Sequence, residues 1–188
     1  MQMSTILTRR ELEIALKQTP PLVESLIDPQ AQLQQNGIEL TLKEVFEFRK
    51  EEVGALGFDN SKRRVVEGRK LDFDNLGWVK LKQGAYRIVF NEIVNIPRNV
   101  FALAKPRSSL LRNGVSVETA LWDSGDSGRS ESLLVVHNSA GCLLERNARL
   151  IQLVFFRQSK LVEAEYNGRY AGENTTQQLG FDHLLNDH

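Results

Sequence analysis

Short segments with the pattern of β-strands recur along most of this chain. Residues 37–42 and 45–48 show the period of two that is typical of a half-buried strand. Similar segments follow at intervals of roughly ten residues, and they cover residues 78–82, 86–89, 100–104, 115–118, 133–137, 142–144, 151–156 and 161–165. Because turns carrying Gly, Asn, Asp or Ser separate most of them, the pattern predicts an all-β sandwich or barrel.

The amino-terminal segment has a helical pattern instead. Thr8 and Glu11 have the spacing of a capping box, in which the two side chains satisfy backbone amides at the start of a helix. Leu12 and Leu16 follow on one helical face. Pro20 cannot continue a helix and restricts the residue before it. The sequence therefore predicts one short helix within residues 8–18.

The carboxyl-terminal segment, residues 166–188, shows no apolar periodicity at its start, where glycines and tyrosines are frequent. Such a segment buries little surface by itself, so it is either a frayed terminus or a lid ordered by what it covers. We find no internal repeat or linker. We therefore expect a single domain over residues 1–188, with its β core at residues 36–165.

Composition and charge restrict the classes of protein that fit. The 188 residues are 41% hydrophobic and 26% charged, values typical of one soluble domain with a hydrophobic core. Basic and acidic residues number 24 each, so charge gives no support for nucleic-acid binding. Cys142 is the one cysteine, and no Cys/His cluster has zinc-ligand spacing. No apolar run approaches about 18 residues, and we expect a cytoplasmic protein that binds neither membrane nor nucleic acid.

One short segment combines several groups that bind phosphate. Arg107, Ser108 and Ser109 supply a guanidinium, two hydroxyls and backbone amides. This mixture suits an oligophosphate, because the fork of donors meets its charge and the small residues let the backbone approach. Arg112 is close enough in sequence to join the same face. The alternative is a solvent-exposed turn after Pro106.

Polar residues also stand at the ends or in the middle of apolar segments. Asp123 follows an apolar pair and precedes Ser-Gly, where a carboxylate either acts as a general base towards water or forms an Asx turn. Asp126 in the same turn is a second candidate and fits better as a turn residue. Gln152 interrupts an apolar strand, so its amide faces either solvent or a site.

In their order and spacing, these segments resemble the motifs of the dUTPase and dCTP deaminase superfamily, and they are most similar to its archaeal dUTPases. The five matching segments are residues 36–40, 106–110, 123–128, 149–153 and 168–172, and residues 86–97 resemble the strand that precedes the second of these in archaeal members. The first carries Glu39 where the family usually has aspartate. The last resembles the tail that closes over the nucleotide. The resemblance extends over most of the chain.

The resemblance implies a distorted jelly-roll fold and a homotrimer whose subunits share their sites. It implies hydrolysis of dUTP to dUMP and pyrophosphate, with Mg²⁺ bound through the triphosphate and not directly by the protein. Asp123 would deprotonate the water that attacks the α-phosphorus. The implied phosphate-binding residues are Arg107, Ser108, Ser109, Gln152 and Arg169, and the implied nucleoside-binding residues are Val117, Trp122 and Tyr170.

Two departures from the family pattern leave alternatives open. Asp126 stands where the family usually places an aromatic residue under the sugar. The dCTP deaminases use a glutamate in the strand after the third motif, where this chain has Leu133 or Leu134. Glu131 is nearby, however, and Arg112 matches a deaminase arginine. The absent glutamate favours a dUTPase. The alternatives are a monofunctional or bifunctional dCTP deaminase, and a nucleotide-binding relative without catalysis.

Overall fold

Antiparallel strands form most of the regular secondary structure. The computed structural model describes residues 5–163, 168 and 170–175. Its strands are β1 (Val23–Glu24), β2 (Leu33–Gln34), β3 (Gly37–Phe48), β4 (Gly68–Leu71), β5 (Trp78–Leu81), β6 (Gly84–Phe90), β7 (Ile93–Asn95), β8 (Val100–Pro106), β9 (Val115–Glu118), β10 (Ser127–Gly128), β11 (Glu131–Val136), β12 (Cys142–Glu145) and β13 (Arg149–Arg157). Its helices are α1 (Arg9–Ala15), α2 (Pro29–Gln32) and α3 (Ser108–Arg112), with one 3₁₀ turn at Asn60–Lys62. The predicted all-β class is confirmed.

The largest sheet has the strand order β8-β13-β3-β6-β11-β9, and every pair in it is antiparallel. Strand β3 is central and changes partner along its length. Its first half, residues 38–41, pairs with β13, and its second half, residues 42–47, pairs with β6. Two smaller sheets, β1-β7-β10 and β12-β5, complete the curved architecture.

The core lies beneath these central strands. In β3, Ile38, Leu40 and Leu42 are fully buried, and so are most of the apolar residues of β13. Strand β11 buries every second residue, as its alternating sequence requires. Burial of this apolar surface supplies the main favourable term in folding. No helix within the described ranges is long and apolar enough to cross a membrane.

Most predicted elements are present, and the differences have identifiable causes. Helix α1 forms within the predicted range, and Glu11 Oε2 accepts hydrogen bonds from the amide and hydroxyl of Thr8, at 2.9 and 2.8 Å. The two strands predicted at residues 37–42 and 45–48 are one strand, because β3 continues without a turn when it changes partner. A strand at residues 161–165 is wrong for residues 161–163, which are irregular, and the other two residues lie outside the described part.

Two glycines at the ends of the β12-β5 pair form a matched test of the fold. Gly141 and Gly77 both have φ of +84°. A Cβ on Gly141 would lie 2.3 Å from the carbonyl oxygen of Leu81, whereas a Cβ on Gly77 would have no atom within 4 Å.

We expect Gly77→Ala to lower the free energy of unfolding by about 1 kcal/mol, which is the cost of a left-handed backbone conformation for a residue with a Cβ. Gly141→Ala adds a steric clash with the backbone, so we expect it to lower the free energy of unfolding by roughly a further 1–3 kcal/mol. Urea unfolding of the two variants measures the difference. Equal costs for the two substitutions would contradict the close approach of β5 to Gly141.

Candidate functional site

Three residues that are distant in sequence meet through one buried carboxylate. Glu39 on β3 is 5% exposed. Its Oε1 lies 2.7 Å from Arg107 Nε, and its Oε2 lies 3.0 Å from Arg149 Nη1. The two guanidinium groups keep 31% and 35% of their side-chain surface exposed. Glu39 therefore fixes the inner edges of two cations whose remaining surface faces solvent.

Local backbone structure explains why these arginines converge. The pairing of β13 with β3 shifts between Arg149 and Ile151, which leaves Leu150 in a bulge. The carbonyl oxygen of Leu150 accepts a hydrogen bond from the Arg107 amide at 2.9 Å. Arg149 Nη1 also donates to the carbonyl oxygen of Ala31, at 2.8 Å. The bulge thus joins the end of β8 to the start of β13 beside Glu39.

Hydroxyl and amide groups surround this pair of cations. Ser108 and Ser109 form the exposed first turn of α3, directly after Arg107. Gln152 is half-buried on β13, where it pairs with Glu39 on one side and Lys105 on the other. We call Glu39, Arg107, Ser108, Ser109, Arg149 and Gln152 the phosphate cluster. Three of its members, Arg107, Ser109 and Arg149, line a cavity of about 450 Å³, and the cluster has the donors that an oligophosphate requires.

A second and larger cavity, of about 740 Å³, lies among β3, β6, β11 and the described part of the tail. Trp122 lines it and donates from Nε1 to Ser130 Oγ at 2.6 Å. Glu131 also lines it, and its Oε2 lies 3.0 Å from Arg87 Nη1. We call this space the carboxylate cavity, because its lining includes Asp126, Glu131 and Glu173.

The described part of the tail covers this cavity. The Gly172 amide donates to the Ser127 carbonyl at 2.7 Å, and the Arg129 amide donates to the Glu173 carbonyl at 2.7 Å. A Cβ on Gly128 would lie 2.9 Å from the Glu173 amide nitrogen, so a glycine permits the close approach. These contacts join the tail to the third predicted motif of the same chain.

The acidic groups in this cavity have shifted protonation equilibria. Burial raises the pKa of Asp126, and the neighbouring Asp123 charge raises it further. Burial raises the pKa of Glu173 to about 7, with further raising by the charges of Glu131 and Asp126 and an opposing effect from Arg87. A site with this many carboxylates disfavours a negative charge on Glu173.

Asp123, the predicted general base, is exposed and lies far from the phosphate cluster of its own chain. Trp122 pairs with Ala102 of β8, and Ser124 Oγ donates to the Val100 carbonyl at 2.6 Å. Asp123 therefore lies level with residue 101, whereas Arg107 follows the other end of β8. At roughly 3.3 Å per residue, about 20 Å of strand separates them. One α-phosphorus cannot contact both in a single chain.

The remaining predicted site residues have varied positions. Tyr170 lines the carboxylate cavity and is 40% exposed, with Arg63 above its ring. Val117 is buried on β9 and is not among the residues that line this cavity. Arg112 is exposed at the end of α3. Arg169 lies outside the described residues. The nucleotide-binding roles of all these residues stay predictions.

Sequence reasoning missed three residues that the structure brings into these sites. Arg149 stands three residues before Gln152 in the fourth matching segment, and this spacing was the available signal. Glu39 was noted only as a departure from aspartate, without a role. Nothing in the sequence indicated Glu173, because its position depends on how the tail docks.

Comparison with known proteins identifies the family. The dCTP deaminase-like family matches residues 6–158. A probable deoxyuridine 5'-triphosphate nucleotidohydrolase of Methanosarcina acetivorans is 51% identical over 91% of this chain and 99% of its own. A relative of the same name from Archaeoglobus fulgidus is 44% identical over 85% of this chain and 92% of its own. The chain belongs to the dCTP deaminase-like family, and the resemblance seen in the sequence is confirmed.

A solved structure supports the fold. The 2'-deoxycytidine 5'-triphosphate deaminase of Agrobacterium tumefaciens matches with a TM-score of 0.65 at 19% identity. The match covers 86% of this chain and 51% of the deaminase chain, so this chain spans about half of that protein. Identity at this level supports the shared fold alone.

The position of Glu173 gives a pH-dependent prediction. Its pKa of about 7 in the docked tail exceeds its ordinary value of 4.5, so the docked tail holds the proton more tightly than the undocked tail. Docking is therefore strongest below pH 4.5, weakens as the pH rises, and is weakest above pH 7. We expect exchange protection of the Gly172 amide to fall between about pH 5 and pH 8, relative to the same amide in Glu173→Gln.

Two results would decide this prediction. The exposed Glu118, which lies outside the carboxylate cavity, provides a control, and Glu118→Gln should keep the wild-type pH dependence. A ratio of wild-type to Glu173→Gln protection that does not change with pH would show that Glu173 does not control docking.

Proposed function

We propose that this protein hydrolyses dUTP to dUMP and pyrophosphate. The observation that carries the proposal is the phosphate cluster, in which Glu39 holds Arg107 and Arg149 side by side. Two fixed cations with exposed outer surfaces suit the closely spaced charges of a triphosphate. The names of the archaeal relatives, which share about half of their residues with this chain, support dUTP as the substrate.

In the proposed reaction, Asp123 accepts a proton from the water that attacks the α-phosphorus. Its exposed position in the loop before Ser124 suits a base that must reach solvent water. Arg107, Ser108, Ser109, Gln152 and the predicted Arg169 stabilise the triphosphate and the charge that develops on it. Trp122 and Tyr170 border the cavity that we assign to the nucleoside.

Magnesium is proposed to enter with the triphosphate. Mg²⁺ usually keeps several waters and binds through one or two carboxylates together with substrate phosphates. We propose that the ion is held by the triphosphate and water alone, because Asp123 is assigned as the base and the described residues contain no group of three or more metal-binding side chains that would form a cage. When bound, the ion would neutralise phosphate charge. The chain's own task is to hold the phosphates and aim Asp123.

The separation of Asp123 from Arg107 supports a site shared between subunits. Each chain has one phosphate cluster and one Asp123 loop, about 20 Å apart at the usual rise of a strand. A cyclic assembly can bring the loop of one subunit to the cluster of the next. We therefore propose a homotrimer, acting in the cytoplasm without nucleic acid or membrane partners, in which each active site draws on more than one chain.

The alternative dCTP deaminase is not favoured. Its reaction needs a glutamate that is available to move protons at the pyrimidine. Leu133 and Leu134 occupy the matching part of β11, and Glu131 at the start of that strand is paired with Arg87. Asp126 lines the carboxylate cavity at the position where the family usually has an aromatic residue. A comparison of dUTP with UTP as substrates would measure its effect on selection of the sugar.

Substitution of Asp123 tests the mechanism. We expect Asp123→Asn to lower kcat for dUTP by about 10²–10⁴-fold, because the amide cannot accept the proton of the attacking water. Pyrophosphate release in the presence of Mg²⁺ measures the loss. Asp72→Asn changes another exposed aspartate and should retain wild-type turnover. Wild-type turnover in Asp123→Asn would exclude this residue as the base, and release of uracil nucleotides from dCTP would reinstate the deaminase.

Mixing two inactive variants tests the shared site. Asp123→Asn and Arg107→Gln proteins are unfolded together, refolded as a mixture and assayed with dUTP. If each site takes its two halves from different subunits, we expect about one quarter of wild-type activity at equal ratio, because each half is drawn at random from two pools. The separately refolded variants are the controls. A mixture no more active than its components would place both residues in one subunit's site.

A further inference from the structure

Glu92 is a buried acid that the proposed reaction does not use directly. It lies in the turn between β6 and β7 and is 0% exposed. Its Oε2 accepts a hydrogen bond from the Thr41 amide at 2.8 Å. Its Oε1 accepts from the Thr41 hydroxyl at 2.6 Å and from Gln32 Nε2 at 2.7 Å. Burying a carboxyl group in the core costs free energy, and the three hydrogen bonds that Glu92 accepts offset this cost.

The bonds to Thr41 occur where β3 changes partner. Residues before this point pair with β13, and residues after it pair with β6. Thr41 stands opposite Arg149, next to the bulge in β13. Glu92 accepts from the Thr41 amide, and the Asn91 amide donates to the Thr41 carbonyl at 2.9 Å. Glu92 and Asn91 thus complete the backbone hydrogen bonds of β3 two residues from Glu39.

A second route runs through Gln32 at the end of α2. Gln32 Nε2 donates both to Glu92 and to the carbonyl oxygen of Glu39, the latter at 2.8 Å. Gln32 Oε1 accepts from the Asp28 amide at 2.9 Å, so both ends of its amide are engaged. The carbonyl oxygen of the neighbouring Ala31 accepts a hydrogen bond from Arg149 Nη1. The position of α2, and with it one bond to Arg149, therefore depends on the same buried network.

Both routes from Glu92 end at the phosphate cluster. Through Gln32 it fixes the backbone at Glu39, through Thr41 it fixes the backbone two residues later, and through α2 it supports the Ala31 carbonyl that accepts from Arg149. We propose that Glu92 is a positioning residue for triphosphate binding, which sets the register of Glu39 and so the spacing of Arg107 and Arg149. This inference rests on the proposed role of the phosphate cluster.

Substitution of Glu92 by glutamine disturbs the hydrogen bonds of this network. Burial raises the pKa of Glu92, and the hydrogen bonds from Thr41 and Gln32 oppose that rise. Glu92→Gln keeps the volume of the side chain but presents an NH₂ group where only acceptors are tolerated. That group would face the Gln32 and Thr41 donors, so the network must rearrange around Glu39.

The experiment compares affinity for a triphosphate with affinity for a monophosphate. Isothermal titration calorimetry with Mg²⁺ measures the Kd of an α,β-imido analogue of dUTP and the Kd of dUMP for each variant. We expect Glu92→Gln to weaken the triphosphate analogue about 10-fold relative to dUMP, since charged hydrogen bonds to phosphate depend on exact placement. Gln32→Met removes the bonds to the Glu39 carbonyl and to Glu92 while leaving the Glu92 side chain in place, and it should shift the same ratio.

Controls separate positioning from general loss of stability. Ile88→Val truncates a fully buried residue of β6 outside this network and should lower Tm without changing the affinity ratio. Arg149→Gln removes a cation of the phosphate cluster and should weaken the triphosphate analogue. If Gln32→Met and any folded Glu92→Gln keep the wild-type ratio while Arg149→Gln lowers it, the inference is wrong and the proposed function stands. If Arg149→Gln also keeps the ratio, the phosphate cluster and this inference are both rejected.

Discussion

The pair of salt bridges from the buried Glu39 carboxylate is the interaction on which the phosphate cluster depends. An isolated carboxylate is strongly disfavoured among packed strands, so it persists here because Arg107 and Arg149 lie within ion-pair distance. The same pairs hold two like-charged guanidinium groups near each other, which would otherwise repel. The two ion pairs thus offset the burial of the Glu39 charge and the repulsion between the guanidinium groups. They also hold β3, the end of β8 and the start of β13 together.

The central strand explains why polar groups are buried beside the apolar core. Strand β3 pairs with β13 and then with β6, and the exchange interrupts the regular ladder of hydrogen bonds. Backbone groups at the exchange need other partners, which Glu92 and Asn91 supply. The bulge in β13 lies at the same place and presents Leu150 to the Arg107 amide. The irregularity of the fold and the location of the phosphate cluster therefore have one origin.

A second consequence of the fold is the division of polar groups between two separate cavities. The phosphate cluster gathers basic and hydroxyl groups, whereas the carboxylate cavity gathers acids and the tail. Keeping Asp123 away from the two arginines of its own chain also keeps its carboxylate out of a salt bridge within the subunit. Assembly, and not folding of one chain, would then complete the catalytic arrangement.

Local pattern was sufficient for much of the fold. The capping box at Thr8 and Glu11 depends only on neighbours in sequence, and α1 forms as predicted. Alternation located β5, β6, β8, β9, β11, β12 and β13 to within a few residues, because the period of two reflects burial of one face. Strands β1, β2, β7 and β10 have two or three residues, which is too short for any periodic signal. The sequence left a phosphate-binding segment or a solvent-exposed turn open for Ser108 and Ser109, and in the structure they begin the short helix α3.

The sequence by itself determined the β class, the short helix, and the residue types and order that identify the family. Those features depend on local periodicity and on short sequence segments, each of which is recognisable without knowledge of the rest of the fold. Only the tertiary structure decided that Glu39 joins Arg107 to Arg149, that Glu173 docks on the third motif, and that Asp123 lies apart from both arginines. These facts depend on strand register and on a bulge, which arise from contacts between residues far apart in the chain and leave no local signal.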